Sequence, residues 1–108
     1  MTRDDLLARY RRLVLSELPE KAQAGRWVVT ADHCFGRIVL DNAVGGCWYD
    51  ALGSTRPVFT ALDDEQLARA VDLAERVAVE GDPLLRELDA RSLAWRGKPP
   101  KRTGGRRA

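Results

Sequence analysis

Histidine occurs once and cysteine twice in this chain of 108 residues, and no stretch approaches the roughly 18 to 20 apolar residues that a membrane span needs. Two thiols cannot build the disulfide framework of a small secreted domain, so a reducing compartment is expected and the localisation reads as cytoplasmic. The opening Met1-Thr2-Arg3-Asp4-Asp5 is polar and charged, so neither a signal peptide nor an anchor is expected, and no membrane partner. Aromatic residues make up only 6%, no segment repeats itself, and acid is missing altogether from the last eleven positions.

That last absence locates the charge. Lys98, Lys101, Arg102, Arg106 and Arg107 stand in the tail without one acid, whereas residues 1 to 97 hold 13 basic against 16 acidic residues. The formal net charge of +2 therefore belongs to the tail. With two prolines, two glycines and no large apolar side chain, residues 98 to 108 cannot repay the entropy of ordering, and a disordered basic tail is expected. A slightly acidic body lacks the positive face of a dedicated nucleic-acid-binding domain. Nucleic acid is accordingly expected as a partner only through tail residues Lys101, Arg102, Arg106 and Arg107. Hydrophobic residues, 44% overall, suffice for one core, and residues 1 to 97 read as a single helical domain.

What is present is helical periodicity. Thr2 and Asp5 form an acidic variant of the capping box ahead of Leu6, Leu7, Tyr10, Leu13, Val14 and Leu18, which predicts a helix from about Arg3 to Leu18 that stops before Pro19. Residues 19 to 31 read mostly as loop, with Trp27 tucked inward. Arg37 to Asp41 alone could be a buried strand, but Asp32 as N-cap, Cys34, Phe35, Ile38 and Val39 on one broad face, and the Gly45-Gly46 stop favour a second helix over roughly His33 to Val44. Cys47 to Leu52 is expected to add a short turn. Asp63 and Asp64 open a third helix, whose stripe of Leu67, Ala70, Val71, Ala74, Val77 and Ala78 ends near Gly81. Asp82 and Pro83 start a fourth, with Leu84, Leu85, Leu88, Ser92 and Trp95 facing inward as far as Gly97. The fold class predicted is all-α: a compact bundle of four main helices, a short extra turn after Gly46, and the tail.

Chemistry concentrates between Asp32 and Asp50, which hold the single histidine, both cysteines, Trp48 and Tyr49. At i, i+4 and i+8, His33, Arg37 and Asp41 form one polar line between apolar flanks. A functional reading makes that line the floor of a pocket, with Arg37 holding an anion and His33 moving a proton. A structural reading makes it an internal Arg37–Asp41 ion pair that sets helix packing, and this reading has the greater weight because such networks mimic functional clusters. Cys34 and Cys47 lack the ligands and spacing of a zinc site and read as small buried hydrophobes, so no metal is expected. Trp95 reads as packing. Adjacent Trp48 and Tyr49 cannot both face inward, which makes them the aromatic candidates for a contact surface.

The runs His33-Cys34-Phe35-Gly36-Arg37-Ile38-Val39-Leu40-Asp41-Asn42, Gly45-Gly46-Cys47-Trp48-Tyr49-Asp50 and Ser92-Leu93-Ala94-Trp95-Arg96-Gly97 resemble a family of short uncharacterised microbial proteins. The resemblance covers most of residues 4 to 98, and members are sometimes labelled as related to the Gcn5-related N-acetyltransferases. That label implies a relation to acetyltransferases and nothing firmer, and it brings no catalytic residue that maps onto this chain; a transferase-type enzyme with its site along His33, Arg37 and Asp41 is the alternative expectation. The acetyltransferase fold holds coenzyme A with a Gly-rich loop ahead of a helix, and no matching glycine motif stands here. The function expected first is therefore a non-enzymatic helical module without a cofactor. It contacts a protein partner, or else nucleic acid, through Arg37, Trp48 and Tyr49 with the tail as accessory.

Overall fold

Thr2 starts the first helix in both directions of the capping box: its hydroxyl accepts from the Asp5 amide and its own amide donates to the Asp5 carboxylate, each at 3.1 Å. Hydrogen bonding from the Thr2 amide, and then from the Thr2 side chain, holds the Asp5 carboxyl below its ordinary range. In the computed structural model, which describes residues 2–53 and 57–99, helix α1 (Arg3–Arg12) does not end before Pro19. It runs through a π-helical turn (Leu13–Glu17) into α2 (Leu18–Gly25), making one continuous rod. The expected stop at Leu18 and the loop from residue 19 are thus corrected. Proline lacks an N–H and its ring presses on the carbonyl four residues back, and here the widened π turn sits directly ahead of Pro19. Only residues 26–31 are irregular, and Trp27 packs there against Phe35, ring centroids 6.5 Å apart and near edge-on.

Helix α3 (Asp32–Val44) begins one residue early, with Ala31 rather than Asp32 as its N-cap. It ends as expected at Gly45, which takes the left-handed conformation at φ 78° and donates its amide to the Asp41 carbonyl. A short α4 (Trp48–Leu52) and a 3-10 turn (Val58–Ala61) lead to α5 (Asp64–Glu80), capped by a reciprocal Asp63 and Gln66 box. After Gly81, α6 (Asp82–Trp95) carries Pro83 in its first turn, where the missing N–H is harmless. Among the described residues there is no strand.

Four main helices and the short α4 surround one core, with α3 packed on α5, α6 and the π turn, and α5 on α1. The fully buried side chains are those the helical stripes point to, among them Tyr10, Leu13, Phe35, Ile38, Leu67, Leu85 and Leu88. The radius of gyration is 13.4 Å, that of a compact domain, about 13 Å for 100 residues. Trp95, at the last position of α6, departs from its expected packing role and is 42% exposed. No helix of the described residues is long and apolar enough to cross a membrane. Tail residues Lys101, Arg102, Arg106 and Arg107, and the disorder expected of them, lie outside the described residues.

Candidate functional site

On α3, Arg37 and Asp41 are one turn apart, and on α6 Asp89, Ser92 and Arg96 follow at i, i+3 and i+7, so two polar stripes face each other across an otherwise apolar seam. The guanidinium of Arg96 grips the fully buried Asp41 carboxylate with both arms, Nε at 2.7 Å and Nη2 at 3.0 Å. Arg37 donates from Nη2 to Asp89 at 2.6 Å and from Nη1 to the Ser92 hydroxyl at 2.7 Å. Ser92 in turn donates to Asp41 at 2.6 Å, joining the two ion pairs through one hydroxyl. The expected Arg37–Asp41 pair is therefore not formed. Each residue pairs with α6 instead, where opposite charge arrives from a second helix. The Asp41 hydrogen bonds raise the Arg96 pKa further. Asn42 adds a contact from Nδ2 to the Leu88 carbonyl at 3.0 Å.

Asp41 has one more partner, the backbone amide of Trp48 at 3.0 Å, which ties the start of α4 to the buried network. Glycines at 45 and 46 turn the chain so that Trp48 and Tyr49 stack, with centroids 4.1 Å apart. Trp48 is half-buried and Tyr49 is 58% exposed, so the pair divides as their adjacency requires. Arg96, already clamped by Asp41, lies 5.1 Å from the Tyr49 ring centroid. His33 takes no part in the Arg37–Asp89 and Arg96–Asp41 ion pairs; its side chain is 83% exposed and Nδ1 lies 4.0 Å from Asp32.

These elements enclose a half-open groove of about 480 Å³. The first rod contributes Tyr10, Val14 and Leu15; α3 contributes Asp32, His33, Gly36, Arg37 and Leu40; α4 contributes Trp48 and Tyr49; the 3-10 turn contributes Val58 and Phe59; Arg96 comes from the end of α6. Tyr10 and Phe59 pack with centroids 4.8 Å apart, and burial pushes the Tyr10 phenol well above its ordinary pKa. Leu15, on the π turn, is half exposed at the groove, and π turns are frequent at functional sites. Gly36 matters most for shape: a Cβ built on it would meet nothing within 4 Å.

Sequence reasoning thus found Arg37, Trp48 and Tyr49, which the structure brings together at the groove with His33, while Asp41 sits behind it in the seam. Tyr10, Leu15, Gly36 and Phe59 were missed. Tyr10 and Leu15 lie on what reads as an ordinary amphipathic helix, and the groove needs a third element to exist. The partner stripe Asp89, Ser92, Arg96 carries a signal in its helical spacing, since polar side chains aligned with an apolar face need partners. Cys34 and Cys47 are free thiols, both half-buried, and the described residues hold no group of three metal-ligating side chains. No family model, curated protein or solved structure matches this chain.

Proposed function

We propose that the protein is a small, non-enzymatic helical binding module whose recognition site is the groove under Trp48 and Tyr49, and that the groove receives apolar side chains of a partner protein. Gly36 is the observation that carries this reading. A glycine inside a helix costs about 1 kcal/mol relative to alanine, yet nothing within 4 Å of position 36 demands one. What the missing side chain provides is depth to the groove. The volume of about 480 Å³ falls within the roughly 300 to 1,000 Å³ of ligand sites. Its Tyr, Trp and Arg lining has the composition of interface anchors. The ion pairs behind the groove are spent on joining α3 to α6, which favours binding over transfer chemistry along His33, Arg37 and Asp41. Two free thiols support a reducing, cytoplasmic setting for the module.

Indole, a neutral surrogate of an apolar side chain, provides the test. Followed by two-dimensional amide NMR, it should move the Gly36, Leu40 and Trp48 resonances saturably. Filling the groove by Gly36→Leu should weaken the binding at least about tenfold, the equivalent of roughly 1.4 kcal/mol of lost burial. Binding that survives Gly36→Leu undiminished, or maps to exposed Trp95 and Val79, contradicts the reading.

A further inference from the structure

We infer that α4 is a lid on the groove, closed over the apolar floor and hinged on glycines that let it swing out to admit a guest; the inference rests on the binding reading above. Rim and floor of the groove differ in exposure. At the rim Leu15, His33 and Tyr49 are exposed, whereas the floor residues Tyr10, Val14, Leu40 and Phe59 keep only 2%, 1%, 2% and 9% of their surface in contact with water. A guest gains affinity from the apolar surface it removes from water, and those four residues offer almost none while the groove keeps this shape. Contact with the floor therefore needs one wall to move.

Among the walls, α4 is the one suited to move. The first rod, α3, the 3-10 turn and α6 each carry buried side chains, and α4 carries none. Tyr49, Asp50 and Ala51 are exposed, and Trp48 and Leu52 are half-buried against the core. Glycines stand on both sides of it, Gly45 and Gly46 before and Gly53 after, with φ 78° at Gly45 and 72° at Gly53. Glycine passes through the wide backbone changes that a hinge must absorb. Opening also leaves the bundle whole. The Trp48 amide would leave Asp41 and the Tyr49 ring would leave Arg96. Asp41 would still accept three hydrogen bonds from Arg96 and Ser92, so the seam between α3 and α6 stays closed behind the moving wall. Asp41 and Arg96 thus act as positioning residues that latch the lid.

The experiment measures amide relaxation dispersion and indole binding in the full-length protein. Without indole, the amides of Cys47, Trp48, Tyr49 and Asp50 should share one exchange process on the microsecond to millisecond scale of lids, and the amides of Leu67, Val71 and Val77 on α5 should lack it. As the indole concentration rises, the binding rate should level off at the opening rate, since a closed lid admits nothing. Gly46→Ala provides the second arm. It keeps the amide that Gly46 donates to the Asp41 carbonyl, and its methyl meets nothing within 4 Å, so the fold should stand. Narrowing the hinge in this way should lower the opening rate and the plateau together, about two- to five-fold. A helix α4 as rigid as α5, or a binding rate that climbs linearly past the opening rate, overturns the lid and leaves the binding module standing. Exchange shared equally by α5 overturns it in favour of opening of the whole bundle, and rates unchanged in Gly46→Ala overturn the hinge. If indole leaves the Gly36, Leu40 and Trp48 resonances unmoved, the binding reading itself fails and the lid falls with it.

Discussion

Asp41 accepts four hydrogen bonds while fully buried, so its charge is tolerated only because Arg96, Ser92 and the Trp48 amide all face it. Asp41→Asn keeps the shape and turns one acceptor into a donor that confronts another donor. We expect a loss of about 3 to 5 kcal/mol, read in urea as a lower midpoint at unchanged m-value. A loss under about 1 kcal/mol would show that water replaces the network. Arg37→Met withdraws a guanidinium from Asp89 and Ser92 and should cost about 3 kcal/mol, whereas Arg37→Met with Asp89→Leu should recover most of it. A double-mutant cycle with coupling below about 0.5 kcal/mol would contradict the pairing. Tyr10 gives the pH dependence. Burial raises its phenol pKa above the ordinary 10.0, so its contribution is complete below pH 10 and is lost as the pH climbs through the folded value, because the unfolded chain releases its proton first. Native stability should fall more steeply above pH 10 than that of Tyr10→Phe, and parallel pH profiles would refute the assignment. At this scale the polar line on α3 was legible, because i, i+4 spacing is local. Its partners were not, because they stand about 50 residues away on α6.

Helices α3, α5 and α6 follow their sequence cues to within two residues at each end, since capping residues and glycine stops act on neighbours along the chain. The first rod breaks that rule. Its continuation past Pro19 depends on a π turn buried by Leu13 and Val14 against the core, and no local pattern announces one. Glycines within and after α3 separate shape from conformation. Gly45 needs its positive φ, so Gly45→Ala should destabilise by about 1 kcal/mol. Gly36 is ordinary helix in open space, so Gly36→Ala should stabilise by about 0.5 to 1 kcal/mol and raise the melting temperature. A destabilised Gly36→Ala would contradict the open space beside position 36.

The groove belongs to no single element. It arises where the first rod, α3, α4, the 3-10 turn and the end of α6 meet, so a sequence can advertise its aromatic corner at Trp48 and Tyr49 but not its floor at Tyr10, Gly36 and Phe59. The same assembly explains why the ion-paired seam and the groove are adjacent: Asp41 holds the Trp48 amide, and Arg96 connects Asp41 to the Tyr49 ring. Packing network and groove lining thus share residues. The most direct measurement of the central claim is a set of intermolecular nuclear Overhauser contacts from bound indole to the native protein. The account predicts contacts to the Gly36 α-protons, the Leu40 methyls and the Phe59 ring. Contacts confined to other surfaces, such as those of Trp95 and Val79, would contradict it.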